Sequence, residues 1–170
     1  MGRIPRIYIE NACYHIVTRG NRKQIVYKHE EDFNVYLSIL RKAKRKHGIL
    51  LYAYCLMPNH AHLLIEPKSA KCISLFMHGV SRNYAKYFNR KYDTVGHLWQ
   101  GRFKSKPIIK GEYLINCANY IEANPVRAKI ALDITKHKWN SYLERCLSAQ
   151  TTMLDEISLG TPIISNSGTG

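Results

Sequence analysis

Two apolar runs lie almost back to back near the middle of the chain, Ile49-Leu-Leu-Tyr-Ala-Tyr-Cys-Leu56 and Ala61-His-Leu-Leu-Ile-Glu66, with little more than Met57-Pro-Asn59 between them. Each has the length of a strand rather than of a helix, and Pro-Asn is turn chemistry. The pair therefore predicts adjacent strands joined by a tight turn. Any fold for this chain has to be built around that hairpin.

The flanking patterns supply the other elements. Residues 12–18 (ACYHIVT) are a short apolar, β-branched run ending at the polar turn Arg19-Gly-Asn-Arg22, which predicts a strand followed by a basic loop. Residues 30–47 place Phe33, Tyr36, Leu37 and Leu40 at helical spacing, with Glu30, Glu31 and Asp32 early, basic residues late and Gly48 as the stop. A second helix is predicted over 69–91, with Ile73, Phe76, Met77, Val80, Tyr84 and Tyr87 along one side. Residues 93–110 read as a basic, aromatic loop containing a candidate strand at Pro107-Ile-Ile109. Residues 111–123 read as a third helix that Pro125 ends.

The order β, α, β, β, α, a candidate β, α predicts an α+β, ferredoxin-like fold, a mainly antiparallel sheet with helices packed on one face. At 170 residues the chain is one domain's worth. The domain is expected over 1–145. The remainder, 146–170, is expected to be a loosely ordered tail, because the last 20 residues lose all positive charge and become rich in Ser, Thr and Gly.

Charge narrows the partner. There are 26 Lys and Arg against 12 Asp and Glu, a net charge of +14, with 45% apolar residues. A folded protein with that excess suits a polyanion, nucleic acid first, because neutralising phosphates releases counterions. Basic and aromatic residues are also interleaved, as in Tyr84-Ala-Lys-Tyr-Phe-Asn-Arg-Lys-Tyr92, and such rings stack on unpaired bases while cations follow the backbone. Tyr84, Tyr87 and Phe88 sit at helical spacing, so for some of them the core is the favoured destination over a stacking platform. Five cysteines without a C-x-x-C pair fit neither a disulfide framework nor a four-cysteine zinc site and read as reduced thiols. With no apolar run near 18 residues and no signal-peptide pattern, the expectation is a cytoplasmic protein without a membrane span.

His60 and His62 stand at the front of the second strand, two residues apart and so on one face, where they can share an ion. With eight histidines in the chain, roughly 0.4 such pairs arise by chance, and two half-buried structural histidines are the other reading. The third helix offers partners for a metal. At 100° per residue Tyr113, Asn116, Tyr120 and Asn124 fall within about 80° of one another, beside an apolar side of Leu114, Ala118 and Ile121. A carboxamide oxygen suits Mg²⁺ or Mn²⁺, and a phenol one turn earlier can attack what the ion holds. A core tyrosine with a capping asparagine satisfies the same periodicity. Arg19, Arg22 and Lys23 in the first loop, Arg102, Lys104 and Lys106 before the third helix, and Arg127 after it are phosphate candidates; Trp99 and Phe103 are stacking candidates. A solvated charge run and core anchors are the alternatives.

Taken together, these segments resemble a known family. His60-Ala-His62 after Met-Pro-Asn, with Thr18-Arg-Gly-Asn-Arg22 upstream, is similar to the HUH (His-hydrophobic-His) class of single-tyrosine transposases. Leu98-Trp-Gln-Gly-Arg-Phe103 and Tyr120-Ile-Glu-Ala-Asn-Pro-Val-Arg-Ala128 resemble its REP-associated branch, and the motifs together span residues 12 to about 143. The resemblance implies His60, His62 and Asn124 as ligands of Mg²⁺ or Mn²⁺ and Tyr120 as the nucleophile. It further implies single-stranded or hairpin DNA as substrate, cut and rejoined through a 5′-phosphotyrosine. Relatives act as dimers that exchange the tyrosine helix or as monomers, so monomer and homodimer both remain open. A catalytically inactive module that binds hairpin DNA or RNA is the competing function.

Overall fold

Four antiparallel strands form one sheet: β1 (Cys13–Arg19), β2 (Ile49–Met57), β3 (His60–Pro67) and β4 (Lys104–Ile108), in the order β2-β3-β1-β4. With α1 (Glu30–His47) between β1 and β2 and α2 (Cys72–Tyr92) between β3 and β4, the arrangement is the expected ferredoxin-like one. The computed structural model describes residues 8–69, 71–146 and 153–157. Among these no helix is long and apolar enough to cross a membrane.

Local chemistry sets the ends of α1. The Asp32 carboxylate accepts from the backbone N–H groups of Lys28 (2.8 Å) and His29 (2.9 Å), orphan donors at the helix start. Gly48 closes the other end at φ 62°, a left-handed conformation that glycine adopts without a Cβ clash. Asp32 is fully buried and also accepts from Tyr87, Lys91 and Tyr92 of α2, at 2.6–2.8 Å, so one carboxylate caps one helix and ties it to the next. Burial alone would raise this carboxyl, but the converging donors outweigh it and hold the group well below the ordinary carboxylate range.

Strand alternation divides the interior in two. Tyr14 and Ile16 of β1, Leu51 and Leu56 of β2 and Leu63 and Ile65 of β3 pack with Tyr36, Leu40, Phe76, Val80 and Tyr84 of α1 and α2. Cys13, Ala53, Cys55 and Leu64 project to the other side and meet Leu114, Ala118 and Ile121 of α3 (Glu112–Glu122). Thus α1 and α2 share a face as expected, whereas the expectation that every helix lies on that face fails for α3. The reason is visible in β2, where every residue from Leu51 to Met57 is buried: a strand that is apolar on both faces requires cover on both.

Strand β4 begins at Lys104, inside the segment expected to be a loop, and Pro107 fits there because β4 is an edge strand. The opposite edge, β2, is covered by later chain. Trp139 O accepts from Leu56 N at 2.8 Å, and Ser141 N donates to Tyr54 O at 3.0 Å. Residues 153–157 do the same further along: Asp155 N reaches Leu51 O, and the Asp155 carboxylate takes Leu51 N and the Lys44 ammonium while Met153 is buried. The expected loose tail is therefore docked at 153–157, because Asp155 finds a buried cation and a free strand edge. The rest of that tail lies outside the described residues.

Candidate active site

The second face of the sheet gathers the polar residues. Register places Arg19 opposite His60 and Val17 opposite His62, with Lys104 opposite Val17 and Lys106 opposite His15 on β4. By alternation His15, Arg19, His60, His62, Lys104 and Lys106 all project to the face that α3 covers. The apolar side of α3 seals one part of that face. Tyr120 stands at its border, 43% exposed, with its ring edge-on to His15 at 6.2 Å between centroids.

The three imidazoles form a connected group. His60 and His62 are 4.9 Å apart, His15 and His62 are stacked at 5.1 Å, and His15 Nε2 lies 2.9 Å from His62 Nδ1. His60 Nδ1 is 2.5 Å from Asn59 Oδ1, an atom that only accepts, so His60 carries its proton on Nδ1 and leaves Nε2 bare. The Asn59 amide is oriented by the other end, since its Nδ2 donates to Lys23 O at 3.3 Å.

All three rings are held neutral. Burial, aided by His60, His15 and Arg19, lowers His62 to about 3; burial and then Arg19 lower His60 to about 4; burial and then Lys106 lower His15. The unfolded chain takes up these protons near pH 6.5, ahead of the folded one, so stability present above that pH is lost as pH falls toward the folded values. Each of His60 and His62 should weaken the fold by about 2 kcal/mol between pH 6.5 and pH 5. Urea midpoints should fall over that interval, where the depressed carboxyls Asp32, Glu66 and Asp133 do not yet titrate. A flat midpoint would contradict the buried, neutral imidazoles.

Asn124 opens α4 (Asn124–Arg127), one turn beyond Tyr120. Its Nδ2 donates to Tyr120 O and Ile121 O, both at 3.1 Å, so the amide nitrogen caps α3 and those bonds leave the amide oxygen unused. Arg127 places its guanidinium over the Tyr120 ring at 4.5 Å. Among the described residues no group of three His, Cys, Asp or Glu side chains could hold a metal ion. The nitrogen donors available to an ion on this face are the two neutral imidazoles of His60 and His62.

The remaining candidates lie around this centre. The turn after β1 carries Arg22 and Lys23 exposed, with backbone φ of 53° and 60°, and it rests on the β2–β3 turn through Gly20 N to Asn59 O and Val26 N to Pro58 O. Gly20 is required there, since a Cβ would sit 2.7 Å from Val26 Cγ1 and against Gln24 O. Trp99 is half-buried, its Nε1–H donating to Ser81 O and its ring near Tyr36 and Tyr84, and Phe103 packs partly on the same core. Arg102 and Lys104 are exposed. Arg82, His78, His97, Trp99 and Arg102 line a half-open groove of about 530 Å³ between α2 and the 96–102 loop.

Two features escape a reading of the sequence alone. His15 is one such residue, because its neighbours across the sheet follow from pairing between distant strands. The other is Glu122, fully buried on α3, which receives Ser141 Oγ at 2.6 Å and both Nε and an NH₂ group of Arg145 at 2.7–3.2 Å. Arg145 also donates to Asn119 Oδ1. These bonds lock α3 to the segment that includes α5 (Tyr142–Cys146).

A family model described as IS200-like transposase matches residues 8–124. A solved structure of a REP-associated tyrosine transposase bound to a REP hairpin superposes with a TM-score of 0.68 at 18% identity, covering 97% of this chain and 100% of that one. A putative transposase from Deinococcus radiodurans R1 is similar over 71% of this chain and 96% of that one, with a TM-score of 0.47 and 21% identity. No curated protein matches the chain.

Proposed function

Because the chain belongs to the family of IS200-like transposases, we propose that it cuts and rejoins single-stranded DNA beside a hairpin, through Tyr120, as the REP-associated branch is expected to do. The observation that carries this reading is the position of Tyr120: a half-exposed phenol against His15, which is itself bonded to His62, with Arg127 over the ring. Binding alone does not call for a half-exposed phenol set against a hydrogen-bonded pair of neutral imidazoles.

In this reading the Tyr120 phenol, 43% exposed, gives its proton to solvent, its oxygen bonds to phosphorus, and the P–O3′ bond breaks. The products are a 5′-phosphotyrosine and a 3′-OH once the leaving oxygen is protonated. The phosphodiester is retained, so a later 3′-OH reverses the reaction without an energy source. His60, His62 and the Asn124 oxygen are the residues that would hold Mg²⁺ or Mn²⁺. When bound, such an ion polarises a phosphate oxygen. Arg19, beside His60, and Arg127 offer cations to the same phosphate; Lys104 and Lys106 flank the path along β4. Arg22, Lys23, Trp99, Arg102 and Phe103 extend the DNA contacts round the end of the sheet, and the groove between Arg82 and Arg102 takes flanking nucleotides.

The test uses the full chain with a hairpin oligonucleotide carrying single-stranded flanks, in Mn²⁺ or Mg²⁺, resolved on a denaturing gel. A covalent protein–DNA adduct is expected, absent without the metal and absent in His62→Ala. Tight binding with no adduct for any flanked hairpin would instead establish a non-cutting hairpin-binding module.

A further inference from the structure

His15 belongs to no motif, yet it touches both halves of the site. Its ring stacks on His62, bonds it through Nε2 to Nδ1 at 2.9 Å, and meets the Tyr120 ring edge-on. Two neutral imidazoles sharing one hydrogen bond must divide the roles, one giving the proton and the other accepting it. If His15 gave it, His62 would carry its own proton on Nε2 and have no lone pair left to offer.

His60 shows the opposite arrangement one position away. Asn59 Oδ1 takes its Nδ1–H and leaves Nε2 bare. We infer that His15 does for His62 what Asn59 does for His60: it accepts the Nδ1–H of His62 and so fixes the tautomer whose Nε2 can bind a cation. His15 is then a positioning residue, and its proton sits on Nδ1, so it is not the base that deprotonates Tyr120. The inference rests on the metal reading above, since the proton direction is chosen by what His62 must do.

Two measurements on the full chain test it. In metal-free protein labelled with ¹⁵N-histidine, long-range proton–nitrogen spectra should show His62 protonated on Nδ1, and His15→Phe should return it largely to the Nε2–H form preferred by free imidazole. His15→Phe keeps a ring against His62 and Tyr120 but removes the acceptor. Titration with Mn²⁺ should then give a tenfold to hundredfold weaker dissociation constant for His15→Phe, the range typical of lost outer-shell partners. His15→Gln, whose Oε1 can still accept, should stay within about threefold of the original. Finding His62 with its proton on Nε2, or an unchanged Mn²⁺ affinity in His15→Phe, would overturn the assignment. An Nδ1–H tautomer lost in His15→Phe, in a protein that takes up no Mn²⁺, would uphold the positioning role and remove the metal reading instead.

Discussion

Replacing Tyr120 by phenylalanine should abolish the covalent adduct while leaving hairpin binding within about twofold. The variant loses one oxygen and keeps the ring that faces His15 and lies under Arg127, so the surface offered to DNA is conserved. Removing a nucleophile outright commonly lowers the rate by roughly a thousandfold or more. Tyr113 is the internal control. It lies two turns earlier on the same side of α3 and is 67% exposed, so Tyr113→Phe should form the adduct at the normal rate. Were the outcomes reversed, with Tyr113→Phe silent and Tyr120→Phe active, the chemistry would have been assigned to the wrong tyrosine.

The second large effect concerns stability. Glu122→Ala should destabilise the protein by about 3–5 kcal/mol, read as a shift of the urea unfolding midpoint, because it leaves the Arg145 guanidinium without its fork partner and a buried Ser141 hydroxyl with one partner fewer. Glu122→Gln keeps the volume and one acceptor and should lose less. A loss below about 1 kcal/mol in Glu122→Ala would mean that the pair is as weak as an exposed one. Adduct formation should fall in the same variant, since Glu122 is two residues from Tyr120 on the helix whose orientation it fixes.

Much of this architecture is legible in the chain, and the gaps have identifiable causes. The hairpin, α1 and α3 follow from runs and periodicities of their own residues, and the exposure of Tyr113 and Tyr120 beside the buried Leu114, Ala118 and Ile121 matches the two-sided helix read from spacing. Strand β4 is obscured because Lys104-Ser-Lys-Pro-Ile108 is half polar and carries a proline, the composition of an edge. The second face was encoded in the unbroken apolar stretch of β2, which one-sided cover cannot explain. His15 and the Glu122–Arg145 pair depend on contacts 47 and 23 residues apart, and no local pattern announces a partner at that range.

Helix α3 is built on its own, smaller cluster of side chains, separated by the sheet from the aromatic interior under α1 and α2. Cooperative units with less buried surface open at lower free energy than the body of the protein. The layer that would carry a covalently attached DNA end is thus also the layer with the least to lose by lifting. The Glu122–Arg145 fork is the tether of that layer, while the three histidines belong to β1 and β3 of the sheet beneath it.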